Sequence, residues 1–300
     1  MRKSLALILS AGLLLSLAAC SSTPDPGVDC SAVGPGDASN LVSVNGDFGS
    51  TVTATFPFPL VSSTAQSSVL IEGDGTPAGV GGVVNASYSV YDAETGSQVG
   101  SPSTSTIAVS DKLFDGLKEP LACASAGERV AVVLPNDTAS QIVSGATGSI
   151  VMVFDIISAF PQAATGADQP AQSGFPSVVH DSNGRPGISI TGEAPTEAKS
   201  ALLKKGDGQE LAEGDEVIVQ ATAVSYTTKK VVSSTWEDGS PQLWLVSDDT
   251  NQTSGSKQPA GIAAFLQGVP VGSEVIVVLP DDAGSATAWV VDILGVLPAS

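Results

Sequence analysis

Three blocks of sequence recur in the same order in the two halves of this chain, and this internal repeat limits the folds that it can adopt. The paired blocks are 69–75 with 201–208, 127–137 with 272–282, and 150–157 with 288–294. The first pair ends in Gly-Asp-Gly, the second contains a Val-rich run that leads into Leu-Pro, and the third is almost wholly apolar. Three ordered matches with similar spacing are hard to obtain by chance, even in a Val-rich chain, so a gene duplication is the simplest account.

The repeat predicts two folded domains, with stretches of different composition outside them. We expect the first domain over 41–160 and the second over 176–298. The stretch 161–175 is rich in Ala, Gln, Gly and Pro and is predicted to be a linker. The stretch 20–40 is rich in Ser, Pro, Gly and Asp and is predicted to be a flexible spacer.

Within each half, the pattern predicts short strands around one short helical segment. Gly, Ser, Thr and Val are abundant, turn residues recur at short intervals, and no long amphipathic helix is present, which favours a β-rich fold. The helical segments are predicted over 113–123 and 262–267. Each half therefore reads as an α+β domain in which an antiparallel sheet of five or six strands wraps around one short helix.

The N-terminus is typical of a bacterial lipoprotein. A short basic start precedes an apolar run from Leu5 to Leu17, and the run closes with Leu17-Ala18-Ala19-Cys20. The run is shorter than the about 20 residues that a transmembrane helix needs, and it fits a cleaved signal peptide over 1–19. We expect lipid on Cys20 to anchor the chain outside the cytoplasm, at the bacterial cell membrane. The alternative is an ordinary signal peptide followed by a chance cysteine.

The charge and the cysteines narrow the classes of partner and cofactor. The net charge of −19 argues against nucleic acid and against a second, electrostatic attachment to anionic lipid. In an exported protein Cys30 and Cys123 are expected to form a disulfide, the alternative being two free thiols. Two thiols and the single histidine, His180, fall short of a structural zinc site, and no cofactor is expected. His180 lies in a Gly- and Pro-rich stretch and is expected to be solvated.

An ordered set of blocks in the second half resembles FKBP-type peptidyl-prolyl isomerases. The blocks are 206–208, 214–219, 231–234, 266–272 and 289–294. Their order and spacing agree with the family over about 184–297, and the first half matches more weakly over about 41–160. The resemblance implies two tandem FKBP-like domains in a lipid-anchored protein, with proline-containing or unfolded polypeptides as partners.

The resemblance also implies an apolar pocket. Rotation about an X-Pro bond must overcome a barrier of about 20 kcal/mol, and a dry pocket that fits the twisted amide lowers it without a nucleophile, base or metal. The family's pocket positions fall on Trp289, Ile262, Val231 and Val232 in the second half, and on Tyr88, Leu113, Phe114 and Leu117 in the first. A backbone N–H near Ile262 would hold the substrate carbonyl.

Several aromatic positions of the family hold smaller residues here. Ala221 stands at the strand tyrosine of the second half, and Met152 stands in the first half where the second half has Trp289. We therefore weigh three hypotheses: an isomerase that assists the folding of exported proteins at the outer face of the membrane, a non-catalytic FKBP-like chaperone or peptide binder, and a structural spacer. Trp289 is a pocket wall under the first two and plain core under the third.

Overall fold

The computed structural model describes residues 27–247 and 258–298. The predicted signal peptide and Cys20 lie outside the described residues. Within the described ranges, no helix is long and apolar enough to cross a membrane.

The described part of the chain is rich in strands. The strands are β1 (Ser43–Asn45), β2 (Thr53–Thr55), β3 (Gln66–Ile71), β4 (Val83–Asp92), β5 (Gln98–Ala108), β6 (Arg129–Leu134), β7 (Ile150–Phe160), β8 (Ala167–Asp168), β9 (Ser177–His180), β10 (Pro186–Ser189), β11 (Lys199–Lys205), β12 (Glu216–Ser225), β13 (Val231–Ser234), β14 (Gln242–Leu245), β15 (Glu274–Pro280) and β16 (Ala286–Val296). The α-helices are α1 (Lys118–Cys123), α2 (Asn136–Ile142) and α3 (Thr235–Asp238), and 3₁₀ turns lie at Ser39–Leu41 and Ala263–Phe265.

Two antiparallel sheets repeat the same strand order. The first sheet has the order β3-β6-β7-β4-β5, and the second has the order β13-β12-β16-β15-β11-β8, with β14 also paired to β12. The order β3-β6-β7-β4 in the first sheet corresponds strand for strand to the order β11-β15-β16-β12 in the second. The three repeated blocks of the sequence fall on these matched strands, so the repeat is present in the topology. The last strands, β7 and β16, are central, and their apolar composition fits burial on both faces.

The helical content differs from the prediction of one short helix in each half. The helix predicted over 113–123 begins only at Lys118, because Gly116 has a φ of 85°, which is outside the helical region. The segment predicted over 262–267 forms only the 3₁₀ turn, and Gly268, with a φ of 78°, follows it closely. The first half also contains α2, which the sequence did not indicate.

The inner face of each sheet, defined as the face under the helical segments, carries the larger apolar cluster. In the first sheet, Val132 and Phe154 pack with Leu121 of α1. In the second sheet, Val277 and Val291 pack with residues of the short helical segment, Ile262 among them. The inner faces are therefore where a pocket between sheet and helix would have to form.

A hairpin covers the outer face of each sheet. Hairpin β1–β2 packs on the first sheet through Val52 and Ala54, and hairpin β9–β10 packs on the second through Val178 and Ile188. The repeated unit is therefore a hairpin followed by a sheet. The sequence did not reveal these hairpins, because strands of three or four residues are too short to show an alternating pattern.

The segments predicted to be a spacer and a linker run along the sheet edges. In the described part of the spacer, 27–40, Gln66 Oε1 accepts a hydrogen bond from Ala38 N, and Ser67 N donates to Gly34 O. Within the predicted linker, β8 pairs with β11 and Ala164 is buried. An edge strand leaves N–H and C=O groups unpaired, and these Gly- and Pro-rich segments supply partners for them.

Candidate functional site

Strand register places Trp289 and Met152 at equivalent positions of the two sheets. Trp289 lies opposite Val277 on β15, and Met152 lies opposite Val132 on β6. Both side chains belong to the inner face, but Trp289 is half-buried whereas Met152 is buried. An exposed aromatic surface at this position is thus a feature of the second half.

Trp289 is held by the second-half core. Its ring packs edge-on against Trp244, with the ring centroids 6.0 Å apart and an interplanar angle of 74°. Trp244 and Ile262 are fully buried in the same cluster. Edge-to-face packing against a buried partner fixes the orientation of the exposed ring.

The other two predicted second-half residues lie apart from this cluster. Val231 and Val232 are on β13, 46% and 58% exposed, and β12 separates this strand from β16. They form an apolar edge two strands away from Trp289.

In the first half, three of the four predicted residues meet in the core. Tyr88, Leu113 and Leu117 pack in the inner-face cluster, and the Tyr88 ring lies 5.7 Å from that of Phe154. Phe114 is 40% exposed and outside that cluster. Because Leu117 is buried, these residues fill the first inner face more than they line an opening.

The expected substrate-binding N–H is engaged within the chain. Ile262 N donates to the carbonyl oxygen of Pro259 at 3.3 Å. A cavity of about 480 Å³ opens nearby, between residues 169–172, β11 and the side chains of Phe265 and Val269. Its described lining contains none of the predicted pocket residues.

Two buried polar pairs occupy matched positions on the outer faces. In the first sheet, Arg129 donates from Nε to Asp155 Oδ1 at 2.5 Å and from Nη2 to Oδ2 at 2.8 Å. The turn of hairpin β1–β2 completes this pair, since Gly46 O and Asp47 O accept from the guanidinium and Gly49 N donates to the carboxylate. The hydrogen bonds that Arg129 donates to the Asp155 carboxylate raise the pKa of Arg129.

In the second sheet, the equivalent positions hold Glu274 and Asp292, which lie directly across from each other. Both residues are fully buried. His180 Nε2 is hydrogen-bonded to Glu274 Oε1 at 2.9 Å, and Ala164 N donates to Asp292 Oδ1 at 2.9 Å. Lys204 Nζ lies 3.7 Å from Glu274 Oε2. His180 is exposed, as expected, but its ring also contacts a buried carboxylate, because the hairpin that carries it folds over the sheet.

Burial is the main cause of an unusual ionisation in this second pair. Burial and, to a smaller extent, the charge of Glu274 raise the pKa of Asp292, the Ala164 N–H and Lys204 lower it, and together they place it at about 7. Sequence reasoning missed the pair. Its only signal was one carboxylic residue in each of two Val-rich strands.

No family model and no curated protein matches this chain. Solved structures do. The chain is similar in structure to FKBP-type peptidyl-prolyl isomerases. The three FKBP domains of wheat FKBP73 match at 14% identity and a TM-score of 0.33, over 78% of this chain and 94% of that one. The N-terminal domain of Arabidopsis thaliana FKBP42 matches at 13% identity and a TM-score of 0.30, over 44% of this chain and 100% of that one.

A third FKBP-type match comes from bacteria. FkpA of Escherichia coli matches at 18% identity and a TM-score of 0.29, over 41% of this chain and 53% of that one.

Two further observations concern the cysteines and the side chains that could bind a metal ion. The structure joins Cys30 and Cys123 in a disulfide with a Cα–Cα distance of 5.8 Å. In the described ranges, no group of three or more His, Cys, Asp or Glu side chains is placed to hold a metal ion.

Proposed function

We propose that this chain is an FKBP-type peptidyl-prolyl cis-trans isomerase that acts on exported proteins at the outer face of the membrane. The ordered FKBP-like blocks support the reaction class. The observation that carries the proposal is the half-exposed ring of Trp289, fixed against the buried Trp244 at the inner face of the second sheet.

A rigid aromatic wall suits a proline substrate. The pyrrolidine ring is apolar and flat enough to pack on an indole face, and the strand neighbours of Trp289, Val277 and Ala223, are buried and uncharged. Surroundings of this kind weaken the charge-separated resonance form that gives the amide its double-bond character. The peptide bond would then rotate with no bond made or broken.

The site of action follows from the N-terminal pattern. We propose that lipid on Cys20 holds the mature chain at the membrane, where exported polypeptides emerge unfolded. Labelling with radioactive palmitate tests this, because the Cys20→Ala chain should take up no lipid. Equal labelling of the variant would refute the anchor.

A second candidate function is binding of proline-containing segments without isomerisation. The filled inner faces favour it, since Ile262 and Leu117 are buried and the Ile262 N–H is used by Pro259. A chaperone needs an apolar surface but no fit to the twisted amide.

Exchange NMR on an X-Pro peptide separates the two candidates. We expect the intact chain to accelerate cis-trans exchange and Trp289→Met, which installs the first-half residue, to lose most of that acceleration. Phe114→Ala is the matched control in the first half and should keep the wild-type rate. Peptide binding without acceleration would select the second candidate, and neither binding nor acceleration would refute both.

A further inference from the structure

We propose that the Glu274–Asp292 pair is a proton-binding site, and that its proton latches hairpin β9–β10 onto the outer face of the second sheet. This inference does not depend on the proposed isomerase activity. It rests on which charges meet in a buried place and on which segment covers them.

The buried charges do not balance when both carboxyls are ionised. Among the residues that the structure describes, one oxygen of each, Glu274 Oε2 and Asp292 Oδ2, has no hydrogen-bond partner. Lys204 supplies one positive charge at 3.7 Å, so two carboxylates and one ammonium leave a net charge of −1 while His180 is neutral. Because an uncompensated buried charge is costly, the pair favours the state that holds one proton.

That proton would be exchanged near neutral pH. Burial, with the charge of Glu274 added to it, places the pKa of Asp292 at about 7. The strand on its other side, β12, presents the uncharged Gln220. Other charged groups near the pair are the exposed Asp168, opposite Lys204, and, in the hairpin turn, Asp181 and Arg185, of which Arg185 pairs with Glu237 of α3.

The hairpin is attached to the sheet through this pair. His180 is the last residue of β9, and its ring is hydrogen-bonded to Glu274. The hairpin is also held by apolar contacts, which include Val178 and Ile188 over Ile276 and Val290, and by the ion pair of Arg185 with Glu237. Opening the hairpin would let water reach the carboxyls, so ionisation of the second carboxyl favours opening.

The first half contains a built-in comparison. The same positions hold Arg129 and Asp155, whose charges cancel, and hairpin β1–β2 closes over them with backbone groups of its turn. That hairpin needs no proton to remain closed near neutral pH. One chain therefore carries a proton-dependent latch and a proton-independent one.

Hydrogen exchange followed by mass spectrometry tests the latch in the mature full-length chain. Rates are corrected for the intrinsic pH dependence of exchange at about pH 6 and about pH 8.5. We expect protection of peptides over 177–189 to fall about tenfold at the higher pH, and protection over 43–55 to stay constant. Equal protection of 177–189 at both pH values would overturn the proposal.

Two neutral variants assign the effect to the pair. Asp292→Asn keeps the side-chain shape and removes the ionisation, so 177–189 should stay protected at both pH values. Glu274→Gln removes the repulsion between the two carboxylates, so it should also reduce the loss of protection of 177–189 at the higher pH. The second variant keeps the test decisive if one of the two does not fold. A fall as large as that of the wild type in the variants that fold would overturn the proposal.

Discussion

Asp292 lies directly across from Glu274 in the second sheet, at the positions where the first sheet pairs Asp155 with Arg129. The two halves therefore share the location of a buried polar pair, but the charges of the pair balance in the first half and are both acidic in the second. The two halves consequently differ in how pH affects their stability.

We expect the second half to become more stable as pH falls from about 8 to about 5. The pKa of Asp292 is raised to about 7 from the ordinary 3.8, so the folded state binds more protons than the unfolded state between these values. The neutral Asp292 carboxyl contributes at most about 4 kcal/mol to the free energy of unfolding. This contribution is complete below about pH 4 and is lost as the pH rises through about 7. Urea unfolding of wild type and Asp292→Asn checks this, and parallel pH profiles would contradict it.

Breaking the first-half pair should be strongly destabilising. Arg129→Ala leaves the Asp155 carboxylate buried without its partner, so we expect a loss of about 3 to 5 kcal/mol in the free energy of unfolding. The double variant Arg129→Ala with Asp155→Ala should recover part of that loss. Urea unfolding of the wild type, Arg129→Ala, Asp155→Ala and the double variant measures the coupling, and strictly additive losses would show that the two side chains do not interact.

Removing the disulfide should destabilise the first half. Cys30 and Cys123 are 93 residues apart, and closing a loop of that length in the unfolded chain contributes about 4.6 kcal/mol in the chain-entropy treatment. Thermal unfolding of the Cys30→Ala, Cys123→Ala variant measures the loss. The native chain should show no titratable thiol at these positions, and two free thiols would contradict the pairing.

The two packed tryptophans should differ in their effect on stability. Trp244 is fully buried, so Trp244→Ala should cost about 3 to 5 kcal/mol, whereas Trp289→Ala should cost clearly less because its ring is half-exposed. Urea unfolding of both variants provides the comparison. Equal losses would mean that Trp289 is core and not a wall.

The sequence predicted the parts of the fold that long apolar strands specify. The blocks around Val132 and Val277 indicated the repeat, and the apolar blocks around Met152 and Trp289 indicated the central last strands, because all four strands are largely buried on both faces. The helical segments were predicted too long, since the left-handed glycines at 116 and 268 limit them.

Less of the candidate site was predictable. Trp289 and Ile262 do meet, but the exposed Val231 and Val232 lie on an edge strand, because spacing along the chain does not fix which side chains converge. The pair Glu274–Asp292 could not be predicted from the sequence for a related reason. Two carboxylic residues 18 positions apart become neighbours only through strand register.

The most direct test of the proposed site uses the three tryptophans of the chain, each of which gives one indole N–H signal in NMR. Trp289 is half-exposed at the inner face, Trp244 donates its indole N–H to Gln242 in the core, and Trp236 lies on α3 away from that cluster. On titration with a proline-containing peptide, the signal that Trp289→Met removes should shift and that of Trp236 should stay in place. Saturating peptide that leaves the Trp289 signal unmoved would contradict the account.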